Sequence, residues 1–248
     1  MPGDERTPQA SILSEVPPAL LDGEMEVLGQ MPGASNATML VRCAGGADEI
    51  WAIYKPMRGE SPLWDFPPGT LHRREVAAYE VARALGWPNV PATVLREGPN
   101  GPGSLQRFVR FDASQHYFTL EAEHADTFRS VAVFDLVINN ADRKAGHCLI
   151  DEDGVIWLID HGVCFSARPN LRTVIWDFIG EPLPERGVVD MQRTLADLRP
   201  GGGLHGRLAA LLDADEVEAT SDRIRSLLAA GVFPEPDPST RPFPLPPI

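Results

Sequence analysis

The apolar pattern changes period partway along this chain, and that change limits the folds open to it. From Met25, the segments MEVLGQ, TMLVRC and IWAIYK are short apolar or alternating runs bounded by Gly, Pro and Asn, the pattern of strands. One helical segment follows, TLHRREVAAYEVARALGW. In it Leu71, Val76, Tyr79, Val81, Ala82 and Leu85 form a stripe, Thr70 is the candidate cap, and Gly86 and Pro88 stop the helix. PATVLRE and SLQRFVRF read as two more strands around the turn GPNGPG. Beyond them the pattern turns helical. DTFRSVAVFDLVINN reads as a buried helix with Asp126 as its cap, and CLI and VIWLI read as a hairpin across DEDG. VVDMQRTLADL, LHGRLAALL and ADEVEATSDRIRSLLAAG read as helices after an irregular stretch from Asp160 to about Arg186. Strands with one helix, followed by helices, imply an α+β chain of two lobes.

The 248 residues suffice for one substantial domain or two small lobes around a cleft. Lys and Arg number 22 against 35 Asp and Glu, a net charge of −13, which argues against nucleic acid as a partner and against tight docking on an anionic membrane. Asp135 interrupts the best apolar run, VAVFDLVIN, so no segment reads as membrane-spanning, and MPGDERTPQAS lacks the apolar core of a secretory signal. Cys43, Cys148 and Cys164 are too few and too scattered for a disulfide framework or a metal motif. A cytoplasmic setting is the expectation. Residues 1–23 read as a loose arm with at most a short helix at ILSEV, and the tail PEPDPSTRPFPLPPI, residues 234–248, reads as extended.

The basic residues are 20 Arg and two Lys, Lys55 and Lys144. Lys is a compact charge on a flexible stem and does not interchange with the planar Arg fork at close-fitting sites, so the positions of these two carry information. Lys55 ends the third strand. Lys144 falls in NADRKAGH, a loop of concentrated polar groups between apolar elements, which is costly unless those groups are satisfied or used. The strand VIWLI then ends on Asp160, followed by His161 and Gly162. Asp142 and Asp160 form a candidate carboxylate pair, with His147 as a third polar group.

The array D-x-K-x-x-H followed by an apolar strand ending in D-x-G has the order of a kinase catalytic loop and its magnesium-binding motif, and WAIYK is similar to the strand motif V-A-I-K. In these motifs the chain resembles the atypical members of the protein-kinase-like superfamily, above all the phosphatidylinositol 3/4-kinase-like proteins of actinobacteria and, more distantly, the HipA-type kinases. The resemblance covers about residues 25 to 233. It implies a bilobal protein-kinase-like fold, with a β-rich nucleotide-binding lobe over residues 24–105, a helical catalytic lobe over 106–233, and ATP between them. By the same resemblance Lys55 would hold the α- and β-phosphates, and Glu75, with Glu80 as rival, would pair with Lys55. Asp142 would take the acceptor proton, Lys144 would neutralise the transferring phosphoryl group, and Asp160 would bind Mg²⁺ or Mn²⁺. Ser35 in the loop QMPGASNA would meet the β/γ oxygens, and the adenine would lie near Gln106, Phe108 and Val109.

Two departures matter. The loop around Ser35 lacks G-x-G-x-x-G, and His147 stands where a metal-binding Asn belongs, so it is a metal ligand, a phosphate contact or a packed histidine. His161 replaces the Phe of D-F-G, and Trp176 and Asp177 either serve substrate binding or anchor the irregular segment. The expected activity is ATP- and metal-dependent phosphoryl transfer to an unidentified hydroxyl-bearing protein, small molecule or lipid. AMP transfer on the same fold and a nucleotide-binding regulatory module are the alternatives. The acidic charge and the lack of a basic amphipathic helix favour a protein or small-molecule acceptor over a bilayer.

Overall fold

The structure, a computed structural model, describes residues 16–31, 37–45 and 48–248. Its first lobe is a five-stranded antiparallel sheet of β1 (Glu24–Gln30), β2 (Met39–Gly45), β3 (Asp48–Pro56), β4 (Thr93–Gly98) and β5 (Gly101–Arg107), in the order β1-β2-β3-β5-β4. Alternation along β3 decides what faces the cleft. Ala52 and Tyr54 are fully buried in the core, which sends Trp51, Ile53 and Lys55 to the other face. Lys55 lies opposite Ser104 and Pro56 opposite Gly103. A Cβ on Gly103 would stand 2.5 Å from the Lys55 carbonyl oxygen, so the close approach that seats Lys55 requires glycine there.

Two helices back this sheet. A short one, α1 (Pro18–Asp22), buries Ala19 and Leu20 completely. It falls within the stretch read as a loose arm, whose residues 1–15 lie outside the described residues. The long helix α2 (Leu71–Leu85) stops as expected, with Gly86 left-handed at φ 83° and its N–H bonded to Ala82. Its start differs from expectation. The Thr70 hydroxyl donates to the Pro67 carbonyl at 2.7 Å and caps nothing, while the carboxylate of Glu60 accepts from the His72 backbone N–H at 3.1 Å. A segment folding back from twelve residues upstream thus satisfies an N–H that the helix itself cannot.

The second lobe contains α3 (Tyr117–Leu120), α4 (Ala125–Ile138), the hairpin β6 (Cys148–Ile150) and β7 (Ile156–Leu158), then α5 (Glu185–Asp197), α6 (Gly203–Ala209) and α7 (Ala214–Ala230). Asp126 sits inside the first turn of α4, paired with Arg129 at 3.0 Å, and does not cap it. The hairpin turn is organised by Asp151, whose Oδ1 accepts from the N–H groups of Asp153 and Val155, with Gly154 at φ 76°. One apolar cluster runs from Val41, Tyr54 and Leu105 of the sheet through Tyr79 and Leu85 of α2 to Phe134, Met191 and Ile224 of the helical lobe. The cleft between the lobes is therefore backed by continuous packing, which fixes the relative placement of groups from each side. Among the described residues no helix is long and apolar enough to cross a membrane.

Candidate active site

The site is assembled around a charge inside an apolar helix. Asp135 lies in α4 and is fully buried, a placement that demands a cation. The chain supplies one eight residues later. Asn139 ends α4 in the left-handed region (φ 51°), and its side-chain amide donates to the carbonyls of Ser166 and Arg168. Arg143 is thereby turned inward, fully buried, with Nε 3.0 Å from Asp135 Oδ2 and Nη2 3.0 Å from Oδ1. Two further contacts make it a hub. Nη1 donates to the Ile159 carbonyl at 3.2 Å, and Nη2 meets His161 Nε2 at 2.8 Å. Arginine only donates, so Nε2 of His161 accepts and the imidazole is neutral. Burial and the neighbouring cations Arg143 and Lys55 hold its pKa well below the ordinary range, in agreement with that tautomer. Asn140 completes the frame, donating to Asp135 at 2.9 Å and accepting the Asp142 N–H at 3.0 Å.

This frame aims Asp160. It is one of three non-glycine residues with positive φ among the described residues, at 65°, a conformation that costs of order 1 kcal/mol or more and persists because its neighbours are held. Ile159 is tied to Arg143, and the His161 N–H donates to Glu75 Oε2 at 3.1 Å. Lys55 reaches across from β3, with Nζ 2.5 Å from Glu75 Oε1 and 2.7 Å from Asp160 Oδ1. Glu80 points elsewhere, to Arg207 at 2.6 Å and Arg83 at 3.3 Å, because it lies on another face of α2. Gly162 faces the helix. A Cβ there would touch Leu71 at 3.4 Å and the Glu75 carboxylate at 3.5 Å. Asp160 leaves 52% of its side-chain surface open, and the Lys55 ammonium beside it holds its carboxyl far below the usual carboxylate range. Burial alone would depress Lys55, but Asp160 and Glu75 outweigh it and raise the ammonium above its ordinary value.

Asp142 lines the same cleft and is paired with Lys144 at 2.9 Å. Burial pushes the Asp142 carboxyl up in spite of Lys144. His147 lies with Nε2 3.4 Å from Asp160 Oδ2 and with Nδ1 facing the Lys144 N–H. Burial first, then the surrounding cations Arg143, Lys144 and Lys55, lower its pKa to about 4. The cleft is lined by Thr38, Lys55, Glu60, Glu75, Asp142 and Asp160 among others. Its arrangement, cations and carboxylates converging from both lobes, can hold a polyanion and a metal ion and can move a proton.

The remaining candidates lie apart from this cluster. Ser35 falls outside the described residues. Gln106 is buried, and its amide donates to Thr93 Oγ1 at 2.9 Å. Phe108 and Val109 line a second hollow with Trp51, Trp157 and Asp151, in which the Trp51 and Phe108 rings are 6.1 Å apart. Asp135, Asn140, Arg143 and Glu60 were not singled out by sequence. Asp135 carried the one usable signal, an acid in an otherwise apolar helix.

No protein-family profile matches the chain. Protein Rv2133c of Mycobacterium tuberculosis is 40% identical over 262 residues, spanning 92% of this chain and 93% of that protein. Phosphatidylinositol 4-kinase gamma 4 of Oryza sativa subsp. japonica is 33% identical over 122 residues, and phosphatidylinositol 4-kinase gamma 3 of Arabidopsis thaliana is 30% identical over 135. Each of these two matches covers 42% of this chain but only 22% and 24% of the plant proteins. Among solved structures, the Helicobacter pylori proinflammatory kinase CtkA superposes with a TM-score of 0.50 at 12% identity, over 85% of this chain and 93% of that one. At that identity the likeness is one of fold, and the fold is bilobal and kinase-like.

Two predictions follow from the geometry. Replacing Arg143 by Met strands the Asp135 carboxylate and lowers unfolding free energy by about 3–5 kcal/mol, whereas the double variant Asp135→Leu/Arg143→Met recovers part of that loss in denaturant titration, the remainder reflecting the unpaired Ile159 carbonyl, His161 and Asn140. For His147 the folded pKa is depressed, so the unfolded chain takes up its proton first. Its contribution to stability is intact above pH 6.5 and is lost as pH falls toward about 4. In metal-free buffer the wild-type chain should lose about 3 kcal/mol more across that window than the His147→Asn variant, and parallel curves would refute the assignment.

Proposed function

We propose that this chain, which belongs to the family of Protein Rv2133c of Mycobacterium tuberculosis, is an ATP- and divalent-metal-dependent phosphotransferase of the phosphatidylinositol 3/4-kinase-like type. The observation that carries the reading is the meeting of Lys55 with Glu75 and Asp160 in one cleft that also holds Asp142. An ammonium pinned between two carboxylates is poised to exchange one of them for phosphate oxygens, with Glu75 keeping it in place. The half-open Asp160 fits magnesium, which takes one or two carboxylates together with phosphate oxygens and water. Among the described residues no three His, Cys, Asp or Glu side chains form a metal cage, so the nucleotide would complete the coordination. The ion, when bound, supplies charge neutralisation at the transferring group.

The other residues act on the acceptor and on orientation. Asp142, with its raised pKa, suits the task of accepting the proton of an attacking hydroxyl, and Lys144 steadies it and offsets charge on the phosphoryl group. His147 donates toward Asp160 from Nε2 when Nδ1 accepts the Lys144 N–H, a role that orients the carboxylate and leaves the metal to oxygen donors. The hollow of Trp51, Phe108 and Trp157 offers aromatic faces for the adenine end of the nucleotide. Two relatives carry names of lipid kinases, but a net charge of −13 favours a hydroxylated protein or small-molecule acceptor over a bilayer surface. A nucleotide-binding regulator is the second reading, favoured by His147 at the place of a metal-binding Asn.

Incubation with ATP labelled at the γ position, magnesium or manganese, and fractionated cell extract tests the reading. Label should pass to a single class of acceptor. Asp142→Asn should cut transfer by about 10²–10⁴-fold with nucleotide affinity nearly unchanged. Asp160→Asn should remove the metal dependence of nucleotide binding. Undiminished transfer by Asp142→Asn contradicts the assignment. Binding with neither label transfer nor a mass change in any acceptor favours the regulator, and an unlabelled acceptor that gains AMP by mass spectrometry, with the label released in pyrophosphate, indicates the reversed nucleotide.

A further inference from the structure

The proline-rich tail returns to the catalytic loop. The Ala145 N–H donates to the Pro247 carbonyl at 2.8 Å, the Thr173 N–H donates to the Pro242 carbonyl at 2.9 Å, and the Trp176 indole N–H donates to the same Pro242 oxygen at 3.2 Å. The first two donors border the residues assigned to catalysis. Ala145 follows Lys144 directly. Thr173 bridges Arg143 as a parallel partner, and the Val174 N–H donates to the Arg143 carbonyl at 3.1 Å. Trp176, whose role the sequence left open between substrate binding and anchoring, is one wall of this track.

The chemistry of the contact is that of proline recognition. Pro242, Pro244, Pro246 and Pro247 carry carbonyl acceptors but no N–H groups, so of residues 242–247 only Phe243 and Leu245 bring a backbone donor, and the carbonyls of Pro242 and Pro247 meet the three donors of the track. Proline also narrows the backbone conformations open to the free segment, which reduces the ordering cost, and an aromatic wall with an indole donor is a usual receiving surface for proline-rich chains. Attachment by the side chains is slight. Pro244 is buried, while Phe243, Leu245 and Ile248 remain exposed, so the segment is held by its backbone and one ring and not as part of the core.

We propose that the track from Ala145 to Trp176 is a docking site for a proline-rich polypeptide, and that residues 242–247 close it in cis until such a partner displaces them. Under the phosphotransferase reading the polypeptide is the acceptor or carries it to Asp142, and that role alone rests on the reading; the docking does not. A tethered segment competes at an effective concentration of about millimolar, so a free peptide making the same contacts meets a track that is mostly filled.

A fluorescein-labelled peptide of residues 238–248, titrated into the full chain and into its Pro244→Asp variant, tests this. A charge at the buried ring releases the tail and leaves the track intact, so the variant should bind the peptide at least about tenfold more tightly than the unmodified chain. Hydrogen exchange should show the Ala145 and Thr173 amides opening in the variant and closing again on peptide addition. The full-length Trp176→Phe variant should also open the Thr173 amide but should gain no such peptide affinity, because the track itself has lost a donor. Equal peptide binding by the unmodified and Pro244→Asp chains, or amides that stay protected in both variants, overturns the proposal. Thermal stabilisation of the same proteins by magnesium and ATP is read separately. Its absence would refute the nucleotide site and leave the peptide result standing.

Discussion

The buried pair Asp135–Arg143 is the interaction on which the remainder of the site depends. Taking a carboxylate and a guanidinium out of water costs several kcal/mol each, and a buried pair of this kind often stabilises less than apolar residues of the same volume. What it provides here is direction. Arg143 is bidentate on Asp135 and still reaches the Ile159 carbonyl and His161, so a single planar group joins α4, the loop that follows it and the end of β7. The planar fork of Arg suits three partners at once in a way that an ammonium does not. It thereby holds the Ile159 carbonyl on one side of Asp160 and the His161 ring on the other, around the residue whose left-handed conformation turns a carboxylate into the cleft.

Against that rigid frame the cleft itself is a balance of opposed charges. Lys55 is attracted by two carboxylates from different elements, one deeply buried on α2 and one half open at the end of the strand that precedes Asp160. The unequal exposure divides their roles. Glu75 is held by the His161 N–H and cannot easily leave, whereas Asp160 keeps surface free for another ligand. Asp142, facing the same space, has its carboxyl raised by burial while that of Asp160 is depressed by Lys55. Carboxylates driven apart in pKa within one cleft are the pattern expected where one must exchange a proton and another must stay charged.

Much of this was legible because it lies in short stretches with sharp contrasts. Lys55 ends an alternating strand in a chain with one other lysine, and Asp160 ends an apolar one. Glu75 and Glu80 stood as rivals in sequence, and the helical face decided between them, since Glu80 turns toward Arg207. The unread parts depend on long-range geometry. No local pattern shows that Glu60, and not Thr70, satisfies the start of α2, because the cap comes from a returning loop. Asp135 and Arg143 read as a helix interruption and a loop charge, and only packing makes them a pair. Gln106, at the end of β5, is taken up by Thr93 on the neighbouring strand, and the tail reads as extended without any indication of what it lies against.

The most direct test of the convergence of Lys55, Glu75 and Asp160 on a triphosphate is a calorimetric titration of magnesium and a non-hydrolysable ATP analogue into the wild-type chain and into Lys55→Met. Binding by the wild type and its loss or severe weakening in the folded variant is the predicted result. No binding by the wild type, or equal binding by both, contradicts a nucleotide site built on this lysine.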